Sequence, residues 1–188
     1  MRITGGKHKG RSLSTLKGLK IRPTSDNVRE AIFNILGQDV KGFRVMDLFS
    51  GAGTLGIEAL SRGALETLFV DKSSRALGIL QKNLALCGFE KSGLTFRWDL
   101  ARGIPSSRLF ATGLFDLVFL DPPYGKGLLP KILEEISNGK ILSPGACVVA
   151  ESYKNEKVSS PSGVLELEDE RLYGDTKITF YRCEVSQI

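Results

Sequence analysis

Short apolar runs alternate with longer segments of helical periodicity through most of the chain. The apolar runs predict strands at 43–48, 67–71, 94–98, 115–120 and 145–151. Helical spacing predicts helices at 54–62, 73–86 and 128–137. This alternation indicates an α/β fold with a mostly parallel sheet and helices on both faces, in which ligands bind at the carboxyl ends of the strands.

The two ends of the chain break this alternation. Near the C-terminus, strands are predicted at 164–168 and 177–184, with the turn-forming residues 171–175 between them and no helix. An antiparallel pair would therefore complete a seven-stranded sheet.

Near the N-terminus, residues 1–22 are predicted to form short extended pieces and turns, and a helix begins after Pro23. Its N-cap is Ser25 or Asp26. The apolar side chains of this helix predict that Arg29 and Glu30 face away from the packed side; these apolar residues are Val28, Ile32, Ile35 and Leu36.

The composition fits a globular protein of one domain with an ordinary core. The chain has 188 residues, of which 41% are hydrophobic. Cys87, Cys147 and Cys183 are widely spaced and form no CxxC pair, which argues against a disulfide framework or a structural zinc site. A signal peptide is not apparent, and no run approaches the ~18 apolar residues of a membrane helix. A soluble, cytoplasmic protein is expected.

Positive charge is concentrated at the start of the chain. The formal net charge is +5, yet seven basic residues precede the first acidic residue, Asp26. These seven are Arg2, Lys7, Lys9, Arg11, Lys17, Lys20 and Arg22. Such a segment is typical of a phosphate-binding surface, although a solvated tail that promotes solubility is the alternative. His8, the only histidine, is assigned to phosphate contact or to plain surface.

A glycine-bearing turn follows the first predicted strand. Gly51, Gly53 and Gly56 satisfy GxGxxG, and Asp71 ends the next strand 20 residues after Gly51. Glycines let backbone amides approach a ligand at a helix N-terminus, and the carboxylate accepts bonds from ribose hydroxyls. On spacing alone the pattern fits NAD or S-adenosylmethionine, and a purely structural turn also remains open.

A second motif distinguishes these alternatives. Asp121, Pro122, Pro123 and Tyr124 follow the apolar strand at 115–120. Asp121 and the Pro122 carbonyl would each accept one hydrogen from an amino group, and Tyr124 would stack on the base that carries it. The prolines make the loop rigid and remove two backbone donors. The motif favours methyl transfer to an exocyclic amino nitrogen, with no metal required.

Together the two motifs resemble the class I amino-methyltransferases with a Rossmann-like fold. The N-terminal residues 2–6, 9–13 and 22–34, with 56–64 and Glu151-Ser152, resemble the bacterial RsmD family of 16S ribosomal RNA guanine-N2 methyltransferases. The resemblance implies a basic N-terminal extension at 1–22, a β-hairpin that contacts RNA, and a methyltransferase domain at 23–188. It also implies action on ribosomal RNA within a small-subunit particle. A monomer is expected from the single-module architecture.

The same resemblance implies roles for individual residues. The cofactor S-adenosylmethionine would be held by Asp47, Ser50, Gly51, Gly53, Asp71 and Asp99, of which Asp71 binds the ribose and Asp99 the adenine amino group. The acceptor would be held by Asp121, Pro122, Pro123 and Tyr124. RNA would be contacted by Arg2, Lys7, Lys9, Arg11, Arg22 and Arg29. Thr24, Asp26 and Arg29 would close a pocket, or Asp26 would only cap its helix and Arg29 would be a surface charge.

Three other functions remain open on the sequence alone. The glycine fingerprint with Asp71 also fits an NAD-dependent oxidoreductase, although Asp121–Tyr124 then has no role. A non-catalytic RNA-binding assembly factor could keep the same fold. A DNA adenine-N6 or other amino-methyltransferase fits the second motif equally well.

Overall fold

The computed structural model of the protein describes residues 1–15, 25–38, 40–105, 113–123, 125–158 and 160–184. The chain divides into two compact units, Met1–Trp98 and Asp99–Ile188. The first unit contains α1 (Asp26–Ile35), β1 (Arg44–Leu48), α2 (Thr54–Ser61), β2 (Glu66–Asp71), α3 (Ser74–Cys87) and β3 (Gly93–Arg97). The second contains β4 (Phe115–Leu120), α4 (Leu128–Asn138), β5 (Leu142–Tyr153), β6 (Leu165–Tyr173) and β7 (Thr176–Cys183).

The first unit has a parallel sheet in the order β3-β2-β1. Its strands are apolar and short, and each is followed or preceded by a helix, as the alternating pattern predicts. Asp47 lies near the end of β1 and Asp71 ends β2. Because the strands are parallel, these carboxyl ends lie at one edge of the sheet.

The second unit has the order β4-β5-β7-β6. β4 and β5 are parallel, whereas β7 runs antiparallel to both β5 and β6. The seven predicted strands are therefore confirmed, and their arrangement is mixed. The predicted antiparallel pair is confirmed, but β6 continues to Tyr173, so the predicted turn at 171–175 is shorter than expected.

Residues 1–13 fold back on themselves and pack against the rest of the first unit. The Ile3 amide donates to the Arg11 carbonyl (3.0 Å), and the Gly10 amide donates to the Ile3 carbonyl (2.8 Å). A single antiparallel bridge joins Arg2 and Ser12, and a short 3₁₀ turn spans Gly6–His8. Ile3 and Leu13 are buried in a core cluster completed by Ile57, Leu60, Phe69, Leu77, Leu80, Leu84 and Cys87.

Helix α1 begins as predicted and buries Val28 and Ile32 of the predicted face, but two residues depart from the prediction. Ser25 is its N-cap, and its hydroxyl accepts from the Val28 amide (3.3 Å). Ile35 is 40% exposed, whereas Arg29 is fully buried. The prediction that Arg29 faces away from the packed side is therefore wrong, because ion-pair partners inside the fold compensate its charge.

Candidate active site

The loop between β1 and α2 makes a sharp turn in which two glycines have left-handed backbone. Gly51 has φ 55° and Gly53, the N-cap of α2, has φ 81°. Phe49 also has a positive φ of 63°, which is strained for an aromatic residue. Such strain is stored where surrounding contacts hold the backbone, often at ligand-binding sites.

The glycines of this loop differ in what surrounds them. A Cβ at Gly51 would meet no atom closer than 4.0 Å, so the loop is open there. A Cβ at Gly53 would overlap the Leu80 side chain, and one at Gly56 would overlap the Phe69 ring. Gly51 therefore leaves room for a ligand, while Gly53 and Gly56 allow the loop and α2 to pack closely.

Asp71 holds the loop in place from the end of β2. Its Oδ2 accepts from the Gly51 amide (2.9 Å), and its Oδ1 accepts from the Ser73 amide (2.7 Å). A carboxylate has about four acceptor positions, so it can still accept ribose hydroxyls. Asp71 thus fits its predicted ribose role and also orders the glycine turn.

Asp47 is almost fully buried beneath the loop, with 2% of its surface exposed. Its Oδ2 accepts from the Gly56 amide (2.9 Å). Burial raises the pKa of Asp47 to about 7, with the negative charge of Asp71 adding to the rise and the Gly56 hydrogen bond opposing it. The carboxyl group therefore titrates near neutral pH.

Ser50 carries a buried hydroxyl that has no hydrogen-bond partner. Its backbone is held by the Val70 carbonyl (3.1 Å) and by the Gly53 amide (2.7 Å). A buried polar atom without a partner costs about 1 to 3 kcal/mol, which a ligand group can recover. This hydroxyl and the open space at Gly51 are compatible with the methionine-side role that the family resemblance implies for these two residues, and that role stays a prediction.

Asp99 begins the second unit and caps a short 3₁₀ turn, Leu100–Arg102. Its Oδ1 accepts from the Ala101 amide at 3.1 Å. Asp99 therefore has a structural role in capping this turn. A carboxylate that caps a turn keeps acceptor capacity, so the adenine contact stays a prediction.

The Asp-Pro-Pro motif follows β4 within the second unit. β4 is buried along most of its length and ends at Leu120. Asp121 is half-buried, Pro122 is buried and Pro123 is exposed. Tyr124, the predicted stacking residue, lies outside the described residues. The structure thus places the Asp121 carboxylate and the rigid Pro122 at the end of β4, while the stacking contact of Tyr124 stays a prediction.

The side chains of the basic N-terminal segment are exposed where they are described. Arg2, Lys7, Lys9 and Arg11 all reach solvent, while Lys17, Lys20, Arg22 and Thr24 lie outside the described residues. The Arg11 guanidinium also donates to the Leu86 carbonyl near the end of α3. Residues 1–15 therefore present positive charge from an anchored backbone rather than from a free tail.

Arg29 does not belong with these exposed charges. Its Nε donates to Glu58 Oε2 (3.1 Å), and its Nη2 donates to Asp26 Oδ1 (2.9 Å) and to the Arg2 carbonyl. A fully buried guanidinium cannot contact RNA phosphate in this arrangement. Arg29 instead fixes α1 to the start of the chain, and Asp26, just inside the Ser25 cap, is its partner.

Glu58 connects three segments through one buried carboxylate. Besides Arg29, it accepts from the Thr4 amide and hydroxyl (both 2.8 Å) and from Arg62 Nε (2.9 Å). Glu58 is fully buried in α2. Sequence patterns do not indicate this residue, because its partners lie up to 54 positions away.

His8 packs against the protein rather than projecting as a cation. Its ring meets Phe89 edge-on with centroids 5.1 Å apart, and its backbone amide donates to Ser61 Oγ (3.0 Å). Burial, together with the positive charges of Arg11 and Lys7, lowers the pKa of His8. The imidazole is therefore neutral at pH 7 and poorly suited to bind phosphate.

Among the residues that the structure describes, no three His, Cys, Asp or Glu side chains are grouped in a way that could hold a metal ion. Within the same ranges, none of the helices combines the length and the apolar character that crossing a bilayer requires.

The chain matches a protein family over almost its full length. The model of the family described as conserved hypothetical protein 95 matches residues 1–182. The YlbH protein of Bacillus subtilis is 37% identical over 182 residues, which cover 97% of this chain and 98% of that protein. Ribosomal RNA small subunit methyltransferase D of Escherichia coli is 31% identical over 188 residues, covering 98% of this chain and 90% of that enzyme.

A solved structure supports the same relationship. The Escherichia coli yhhF protein superposes with a TM-score of 0.85 and is 29% identical, and the match covers 98% of each chain. This similarity confirms the Rossmann-like class I fold expected from the sequence, and the sheet is mixed because β7 runs antiparallel to β5 and β6.

Proposed function

The chain belongs to the conserved hypothetical protein 95 family of RsmD-like methyltransferases, and on this premise we propose that it methylates the exocyclic N2 of a guanine in 16S ribosomal RNA. S-adenosylmethionine is the methyl donor. The proposal rests mainly on the match to Escherichia coli ribosomal RNA small subunit methyltransferase D, which spans 98% of this chain. That match takes in the basic N-terminal segment as well as the Asp121 loop. The proposed setting is a monomer acting on a small-subunit particle in the cytoplasm.

The proposed cofactor site uses the loop after β1. Asp71 accepts hydrogen bonds from the ribose hydroxyls, and Ser50 supplies the hydroxyl that is unpaired in the structure to the methionine end. Asp47 lies beneath the loop on the methionine side, and Asp99 accepts from the adenine amino group. The cofactor supplies a methyl group bonded to a positively charged sulfur, and the neutral thioether is an excellent leaving group.

The proposed acceptor site uses the loop after β4. Asp121 and the Pro122 carbonyl each accept one hydrogen of the guanine amino group, which directs the nitrogen lone pair at the methyl carbon. Tyr124 stacks on the base. The amino nitrogen held in this way would accept the methyl group that the cofactor supplies. The nitrogen then loses a proton to Asp121 or to water.

RNA binding is assigned to the exposed basic side chains of residues 1–15, together with Arg22. The target base must leave its stack, at a cost of a few kcal/mol. Contacts of Arg2, Lys7, Lys9 and Arg11 with phosphates would offset that cost. Arg29 is left out of this set because it is buried.

The test is transfer of a labelled methyl group from S-adenosylmethionine to unmethylated small ribosomal subunits. We expect label in 16S RNA with the wild-type protein and a loss of at least a hundredfold in rate for Asp121→Ala, with affinity for S-adenosylhomocysteine kept within about tenfold, or 1.4 kcal/mol. Asp175→Ala is the matched control, because it removes an exposed carboxylate that pairs with Lys154 (2.7 Å) outside the proposed site. Absence of transfer by the wild-type protein, with RNA still bound, would identify a binding factor instead.

A further inference from the structure

Asn83 is a fully buried polar residue in the middle of α3. Its side-chain oxygen accepts from the Ser14 amide (2.8 Å). Its side-chain nitrogen donates to the Ser14 carbonyl and to the Ala52 carbonyl, each at 3.0 Å. Both donor hydrogens and an acceptor position of this amide are therefore in use.

The two partners of Asn83 belong to different functional parts. Ala52 lies between Gly51 and Gly53, in the loop proposed to hold the cofactor. Ser14 follows the exposed basic residues of the N-terminal segment. A single side chain thus bonds both to the cofactor loop and to the segment proposed to bind RNA.

Another residue of α3 also contacts both the cofactor loop and the N-terminal segment. Leu80, one turn before Asn83, fills the space beside Gly53, where a Cβ would overlap it. Leu80 also shares a core cluster with Leu13 and Ile3 of the N-terminal segment. One face of α3 therefore packs on both parts, and Asn83 adds the directional contacts.

Hydrogen bonds attach the N-terminal segment to the rest of the unit along its length. Thr4 is bonded to Glu58, His8 to Ser61 and Arg11 to Leu86. Ser14 lies beyond the basic residues and is bonded to Asn83. Loss of the Asn83 bonds would release Ser14 while the earlier contacts remain.

We infer that Asn83 is a positioning residue that couples cofactor binding to RNA binding. The inference rests on the proposed function. A buried amide has no water to replace a lost partner, so a shift of the Ala52 carbonyl on cofactor binding changes the bonds to Ser14. We expect cofactor binding to strengthen RNA binding through these bonds. By linkage, bound RNA then strengthens cofactor binding by the same factor, and such factors are typically about 5- to 150-fold.

The first test measures the affinity for S-adenosylhomocysteine without and with saturating small ribosomal subunits. We expect the subunits to raise the affinity of the wild-type protein at least fivefold, and to change that of Asn83→Ala by less than twofold. Gln81→Ala is the matched control on the same helix, because Gln81 is exposed and its side-chain amide donates to Thr95 (3.3 Å) rather than to the N-terminal segment. An equal ratio in wild type and Asn83→Ala, or no effect of subunits on the wild type, overturns the inference.

A second test uses only the wild-type protein and no RNA, and it decides the matter if Asn83→Ala does not fold. Hydrogen exchange of the Ser14 amide is followed by NMR as S-adenosylhomocysteine is added. We expect exchange at Ser14 to slow at least fivefold, and exchange at Leu13, whose amide donates to Met1, to change less. Unchanged Ser14 exchange with the ligand bound overturns the inference, whereas failure of methyl transfer overturns the proposed function separately.

Discussion

Burial is the main cause of the raised pKa of Asp47. Its pKa is raised to about 7 in the folded protein, against 3.8 as the ordinary value. Between these values the unfolded chain has released the proton while the folded protein keeps it. The contribution of Asp47 to stability therefore falls as pH rises from about 4 to about 7, and it is constant above that range.

Asp47→Asn should remove this pH dependence. The amide oxygen can still accept from the Gly56 amide, but it carries no charge to bury. Relative to wild type, we expect the variant to gain stability steadily from pH 4 to pH 7, by up to about 4 kcal/mol. Urea unfolding at a series of pH values measures the difference; a difference that is the same at pH 4.5 and pH 7.5 would contradict the raised pKa.

An added methyl group should reduce the free energy of unfolding much more at Gly53 than at Gly51. Gly53→Ala combines left-handed backbone with overlap on Leu80, so we expect a loss of about 2 to 5 kcal/mol in the free energy of unfolding. Gly88→Ala is the control, since Gly88 has φ 69° and open space around it, and should lose only about 1 to 2 kcal/mol.

Gly51→Ala, also in open space, should cost about as little stability as Gly88→Ala. It should nevertheless weaken binding of S-adenosylhomocysteine, because the methyl group enters the proposed ligand space. Calorimetric titration of both variants checks this, and equal ligand affinity in Gly51→Ala and Gly88→Ala would exclude Gly51 from the cofactor site.

At the scale of elements, Glu58 joins α2 to α1 and to the N-terminal segment. Glu58→Gln should reduce the free energy of unfolding by about 3 to 5 kcal/mol, because Arg29 would stay buried without its main counter-charge. Glu66→Gln is the control, since the Arg44–Glu66 pair is partly exposed and should contribute about 1 kcal/mol or less. Similar losses in both variants would show that the buried Glu58 ion pairs stabilise the fold no more than a partly exposed pair does.

Most elements could be predicted from the sequence because their hydrophobic periodicity is local. β4 was predicted to the residue, and β1, β2, α2 and α3 agree within one or two residues. The placement of Arg29 on α1 was wrong, because hydropathy treats arginine as a surface residue and cannot detect its distant partner Glu58. β6 was predicted too short, since its exposed charged residues suppress the alternation on which strand prediction depends.

The candidate site divides in the same way. The glycine turn, Asp71 and Asp121 could be found because they are concentrated in short motifs next to strands. Asn83 and the second role of Asp71 in holding Gly51 could not, because both depend on contacts between residues 20 or more positions apart. Local motifs identify the chemistry, while the contacts that position it are visible only in the fold.

At the scale of the whole molecule, charge separates the start of the chain from the rest. If exposed Lys7 and Lys9 contact phosphates, Lys7→Ala with Lys9→Ala should weaken RNA binding and lower the slope of log affinity against log salt by about 1.4 to 1.8. Affinity for S-adenosylhomocysteine in the absence of RNA should not change. Lys140→Ala with Lys157→Ala removes two exposed lysines of the other unit as a control, and an equal effect there would argue for nonspecific charge attraction.

The central claim is that this chain methylates N2 of a guanine in 16S ribosomal RNA. The most direct measurement is mass spectrometry of nucleosides from unmethylated small subunits, naked 16S RNA and duplex DNA after reaction with the protein and S-adenosylmethionine. We expect one N2-methylguanosine per 16S RNA, most rapidly in the small subunit. Methyl groups found instead on adenine N6, or only in DNA, would contradict the assigned acceptor.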